Sequence, residues 1–128
     1  MDKIITEDYL IENPDHVFVF GDNEKRFGKG GAAKLRHMPN TYGFITKKSP
    51  THKKEDYYMP KEYLLVYFKE MAHLRQTIRQ NPNKKYLISK IGGGLANKNK
   101  IFEIVILPRI RQDLREFENV EFLFSEED

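Results

Sequence analysis

His16-Val17-Phe18-Val19-Phe20-Gly21-Asp22-Asn23-Glu24-Lys25-Arg26-Phe27-Gly28-Lys29-Gly30-Gly31-Ala32-Ala33 joins a continuously apolar, β-prone run to a glycine-rich turn. A strand that lacks polar alternation is buried on both faces, as in a parallel sheet covered by helices. The strand is expected over His16–Phe20 with Gly21 ending it, followed by a loop over 21–31 and a helix over Ala32–Arg36 that stops at Pro39-Asn40. The first glycine cluster then sits at a helix N-terminus, where bare N–H groups favour an anion. The pattern recurs downstream, where Lys85-Tyr86-Leu87-Ile88-Ser89 reads as a buried strand and Gly92-Gly93-Gly94-Leu95-Ala96-Asn97 follows it.

The intervening sequence alternates in the same way. Thr6-Glu7-Asp8 opens a short helix with an N-cap and acidic first turn, closed by Asn13-Pro14. Thr41-Tyr42-Gly43-Phe44-Ile45-Thr46 reads as a strand, and Lys47 to Met59 as a long polar loop. From Pro60 through Gln80, Tyr63, Leu64, Tyr67, Phe68, Met71, Leu74 and Ile78 recur at helical spacing, with Asn81-Pro82-Asn83 as the stop. Ile101 to Phe117 is a helix that Pro108 kinks or divides, and Val120-Glu121-Phe122-Leu123-Phe124 is the last strand. The reading is a single domain over residues 1–128 of α/β class: three layers, with a central mixed sheet flanked by helices.

Composition narrows the function. The chain has 128 residues and no cysteine, so disulfides, thiolate nucleophiles and cysteine-ligated metals are excluded. His16, His37, His52 and His73 are scattered, and no metal site or cofactor is expected. No apolar run is long enough to span a bilayer, and the N-terminus lacks a signal-peptide pattern, so a cytoplasmic protein is expected. The net charge of +3 conceals a local excess: Lys47, Lys48, Lys53 and Lys54 surround Ser49-Pro50-Thr51, while Glu126-Glu127-Asp128 ends the chain.

The glycine segments match neither standard phosphate motif. A P-loop needs glycine five residues before Gly28-Lys29 and Ser or Thr after the lysine, where this chain has Asn23 and Gly30; the third glycine of a dinucleotide fingerprint is also missing. What survives is general chemistry. Gly28, Lys29, Gly30 and Gly31 suit a phosphate, and Asp22 and Asn23 can bind ribose hydroxyls or a base amine, or form an Asx-turn. Lys90, Gly92, Gly93, Gly94 and Leu95 form the second candidate wall, with Asn97 as a ribose contact or helix cap. Asp22 and Lys90 are the candidates for polarising a linkage or activating water. The Lys47–Lys54 loop reads as a basic lid with Tyr57 or Tyr58 as a stacking platform, or as a contact for a nucleic-acid backbone. Lys69, Arg75 and Arg79 read as surface charge.

At Val17 to Asn23, Gly28 to Ala33, Gly43 to Lys48 and Ile88 to Ala96, the chain resembles the macrodomain-like family, in particular small macro-like proteins of bacteriophages and their bacterial hosts. The resemblance implies a macro-like fold that binds ADP-ribose or a related phosphorylated nucleotide, with hydrolysis of an ADP-ribosyl linkage as an accompanying activity. On that analogy Asn23 faces the distal ribose, Gly30 and Gly31 border the diphosphate, and Gly92 to Gly94 cradle it. The chain departs from the family in carrying Gly21-Asp22-Asn23-Glu24 where macrodomains usually have an Asn-Ala-Ala-Asn turn. Non-catalytic sequestration of a nucleotide and nucleic-acid binding are the alternative expectations.

Overall fold

The computed structural model describes residues 3–125, so the acidic tail Glu126-Glu127-Asp128 lies outside the described residues, as do Met1 and Asp2. Its elements run α1 (Glu7–Glu12), β1 (His16–Asn23), β2 (Thr41–Lys47), α2 (Pro60–Gln80), β3 (Lys85–Ile88), α3 (Leu107–Leu114) and β4 (Val120–Phe122), with three 3₁₀ turns and one π-helical segment between them. The four strands form one sheet in the order β2-β1-β3-β4. Every pairing is parallel, so the sheet is not mixed as the sequence suggested; the antiparallel contact is an isolated bridge between Lys47 and Tyr57.

Both faces of the sheet are buried, which is why β1 and β3 lack polar alternation. Val17, Val19, Tyr86 and Ile88 join Tyr63, Tyr67, Met71, Leu74 and Ile78 of α2 and Ile110 and Leu114 of α3 in the larger core. Phe18, Phe20 and Leu87 point the other way, onto Ile5, Leu10, Ala33, Leu35 and Leu123. The result is a three-layer α/β fold. Among the described residues, no helix is long and apolar enough to cross a membrane.

α2 also covers the outer edge of β2. Ile45 N–H donates to Glu70 Oε1 at 2.7 Å, and Ile45 C=O accepts from the Tyr63 hydroxyl at 2.6 Å. Phe68, expected on the apolar stripe of α2, is instead 51% exposed. Arg75 and Arg79, expected as loose surface charge, pair with Glu116 across to the segment after α3.

The expected helix over 101–117 runs without a gap from Ile101 through a π-helical turn, Phe102–Ile106, into α3. Pro108 accounts for the widened turn, because it has no N–H to give to the preceding turn and its ring crowds the carbonyl of Ile104. The Arg109 guanidinium supplies the missing donors, bonding Ile104 O at 3.2 Å and Val105 O at 2.9 Å.

Candidate functional site

The strand order places a topological switch point between β1 and β3. β1 leads to β2 on one side and β3 leads to β4 on the other, so their following loops part and leave a crevice at the carboxyl ends. Those two loops carry the two glycine clusters. A cavity of about 160 Å³ lies there, lined by Asp22, Gly28, Gly30 and Gly31 on one side, Lys90, Gly92, Gly94 and Leu95 on the other, and Thr46 and Lys47 from β2. Both glycine segments singled out in the sequence thus line one cavity, with Lys29 and Gly93 outside its lining.

In the second wall, Gly92 has φ +78°, a conformation that favours glycine, and a Cβ there would lie 2.5 Å from Ile106 Cδ1, so the Ile106 side chain would have to shift. Gly93 N–H donates to Lys90 O at 3.0 Å and Asn97 N–H to Gly94 O at 3.1 Å, whereas the N–H groups of Gly92, Gly94 and Leu95 have no acceptor among the described residues. Gly93 itself packs on the aliphatic chain of Lys90 and is absent from the cavity lining. Asn97 is a cap: its Oδ1 accepts from Phe102 N–H at 3.0 Å and its Nδ2 donates to Glu103.

The first wall departs further from expectation. β1 continues past Gly21, pairing Gly21 with Phe44 and Asp22 with Ile45, so Asp22 and Asn23 are strand residues rather than loop residues. The segment after the glycines is a 3₁₀ turn, Gly31–Leu35, in place of an α-helix, so no full helix dipole points at the cleft. The cause lies in Arg36, whose Nε donates to Gly28 O at 2.8 Å and whose two terminal nitrogens grip Asp22 at 2.6 and 3.2 Å. Arg26 adds a bond to Asp22 Oδ2 at 3.4 Å and one to Gly43 O at 2.8 Å. Asp22, with a side chain only 2% exposed, is thus the centre of an arginine clamp that folds the glycine loop back. Both of its oxygens are taken up by guanidinium groups, and Oδ1 also accepts from Asn23 N–H. Asn23 is similarly committed: its Nδ2 donates to Phe27 O at 2.8 Å and its Oδ1 accepts from Lys25 N–H at 3.0 Å. Lys29 is exposed and does not reach the cavity.

Lys47 departs most from the sequence expectation. In place of a lid position, it is buried in the cleft wall, with Nζ donating to Thr51 O at 2.8 Å and lying 4.7 Å from the Tyr57 ring centroid. Burial holds its amine below the ordinary lysine value, with the Asp56 carboxylate partly opposing the shift. Tyr57 and Tyr58 are buried too, which overturns the stacking-platform reading; Tyr58 donates to Glu24, and burial together with that carboxylate pushes its phenol strongly up. The rest of the Lys47–Met59 segment folds through a 3₁₀ turn, Lys54–Asp56, with Asp56 accepting from Thr51 and from Lys53 N–H. The exposed aromatic at the cleft is Phe27, 57% accessible. Lys90 lines the cavity as expected, with Nζ 5.2 Å from the Phe102 ring centroid.

A second cavity of about 300 Å³ adjoins the first, where Ile5, Phe18, Leu35 and Leu123 stand beside Lys3, Lys34 and Lys90. The two share Gly31, Ala32, Ser89 and Lys90, so they meet across the end of β3. Together they reach the size of a small-molecule site, roughly 300–1,000 Å³.

No curated protein and no solved structure was found to match the chain. Residues 1–100, which include both glycine walls, Lys47 and most of the sheet, match the model of a family of unknown function, DUF7831. The chain belongs to that family.

Proposed function

We propose that the cleft binds ADP-ribose or a related phosphorylated nucleotide. The observation that carries this is the position of two glycine loops on either side of the switch-point crevice, with N–H groups on Gly92, Gly94 and Leu95 that have no acceptor among the described residues. Lys47 and Lys90 supply positive charge to a diphosphate, and Phe18, Leu35 and Leu123 in the adjoining cavity offer apolar surface to a base. The macro-like resemblance points to the same ligand class.

Binding without turnover is the form of this reading that the geometry favours. Among the described residues, Asp22 is the sole carboxylate lining the cavity, and it is held by Arg36 and Arg26. Hydrolysis of an ADP-ribosyl linkage would have to draw on the amines of Lys47 and Lys90, with no second carboxylate there to complete an acid–base pair. Titration calorimetry with ADP-ribose, ADP and inorganic phosphate tests the proposal, with binding expected for the nucleotides. Gly94 has open space around its Cβ position, so Gly94→Glu introduces a carboxylate into the cleft without strain and should abolish binding while preserving the circular dichroism spectrum. Absence of heat with every nucleotide, or full affinity in Gly94→Glu, would refute the site. Release of free ADP-ribose from a modified protein or oligonucleotide would establish turnover against sequestration.

A further inference from the structure

The charge around the cleft is far more one-sided than the chain as a whole. Segments 22–34, 47–56 and 89–103 each contribute lining residues to the first cavity, and together they hold eleven of the 22 Lys and Arg but only five of the 19 Asp and Glu. The rest of the chain is net negative. Of the five carboxylates, Asp22 is held by Arg36 and Arg26, Asp56 is buried and bonded to Thr51, and Glu103 is engaged by Asn97. Lys25, Arg26, Lys29, Lys53, Lys54 and Lys100 are exposed in these segments. A surplus this large exceeds what one diphosphate needs.

Phe27 gives the surplus a direction. It stands in the cavity lining yet is 57% exposed, between Arg26 and Gly28, with the exposed Leu95 across the mouth and Pro50 packed near Gly28. An exposed ring among cations is the arrangement that stacks an unpaired base while lysines follow the phosphates. An acidic peptide would use the same cations but has no need of the ring. We infer that the rim docks single-stranded nucleic acid, presenting one phosphorylated nucleotide of the strand to the cleft. The inference rests on the nucleotide reading of that cleft and adds a macromolecular partner to it.

Fluorescence anisotropy with labelled 15-nucleotide single-stranded DNA and RNA, over a range of salt, tests it beside calorimetry with free ADP-ribose. Binding should weaken linearly in log–log form with salt, and the Lys25→Gln/Lys54→Gln/Lys100→Gln variant should lower the slope by about 2, at ~0.7 for each phosphate no longer neutralised. That variant keeps its ADP-ribose affinity, since none of the three residues lines the cavity. Phe27→Ala should weaken oligonucleotide binding by roughly 5- to 150-fold with an unchanged salt slope. The inference is overturned if ADP-ribose binds but neither oligonucleotide does. Equal affinity for a polyglutamate peptide, with Phe27→Ala silent, would also overturn it, making the rim an acidic-peptide surface. Oligonucleotide binding with the expected slope and no ADP-ribose binding would uphold the docking surface and refute the nucleotide reading alone.

Discussion

Replacing Arg36 by methionine should both destabilise the protein and release the first glycine loop. The Arg36 side chain is 19% exposed and Asp22 only 2%, so their bond at 2.6 Å is a buried ion pair, and removing one partner of such a pair costs ~3–5 kcal/mol. Arg26 remains, but it lies 3.4 Å away and is 53% exposed, so it recovers less than about 1 kcal/mol. The tether to Gly28 O is lost as well. The net expectation is about 3 kcal/mol, which lowers Tm by about 12 °C for a chain of this size. Urea denaturation with thermal melts measures this, and a double-mutant cycle separates the ion pair from mere truncation. Asp22→Asn/Arg36→Met should be more stable than Arg36→Met alone, because a neutral amide in that pocket can keep the bond from Asn23 N–H without needing a cation. A loss below about 1 kcal/mol, or a double variant no better than the single one, would show that the clamp does not hold the loop.

Gly92→Ala should lose about 1–3 kcal/mol and nucleotide binding together, through positive φ and the overlap with Ile106, whereas Gly94→Ala should be silent in the same melts. Gly43→Ala should imitate Arg36→Met, since a Cβ there would overlap Asp22 Oδ2, and its melting temperature compared with Gly94→Ala checks this. Lys47 should be acylated at lower pH than the amine of a lysine reference peptide, because burial favours its neutral form; mass spectrometry of the digested protein reads the site, and ADP-ribose should protect it. Alkaline stability should fall as pH rises above the ordinary phenol value of 10.0: the unfolded chain then releases protons that the fold retains on Tyr42, pushed up to about 12 by burial and by Glu70. Tyr42→Phe should remove part of the decline between pH 10 and about 12 in urea titrations, the raised phenols of Tyr58, Tyr63 and Tyr67 supplying the rest.

The elements legible in the sequence were those whose residues answer to one dominant force. β1, β3 and α2 are set by burial, so Val17 to Phe20 and the Tyr63, Tyr67, Met71, Leu74 and Ile78 series declared them directly. Both glycine walls were legible because glycines clustered after a buried strand mark a close backbone approach, and Gly92 has a conformation that favours glycine. The 3₁₀ turn at Gly31–Leu35 was not, since the bonds of Arg36 to Asp22 and Gly28 arise only once residues distant in sequence meet. Nor was the location of Lys47. The β1–β2 register steps from Ile45 opposite Asp22 to Lys47 opposite Asn23, an irregularity that carries β2 one residue further than expected. Its bridge to Tyr57 then turns a segment that reads as solvated lid into a cleft wall and takes Tyr57 and Tyr58 inside.

Glu70 and Tyr63 occupy the backbone N–H and C=O pair of Ile45 that an incoming strand would seek on the outer side of β2. With that pair answered by a helix, another strand finds fewer partners along β2, so edge-to-edge growth into filaments or strand-exchanged dimers through β2 is disfavoured. Loss of the Glu70 carboxylate would therefore show first as a change in colloidal behaviour on storage, ahead of any change in ligand affinity.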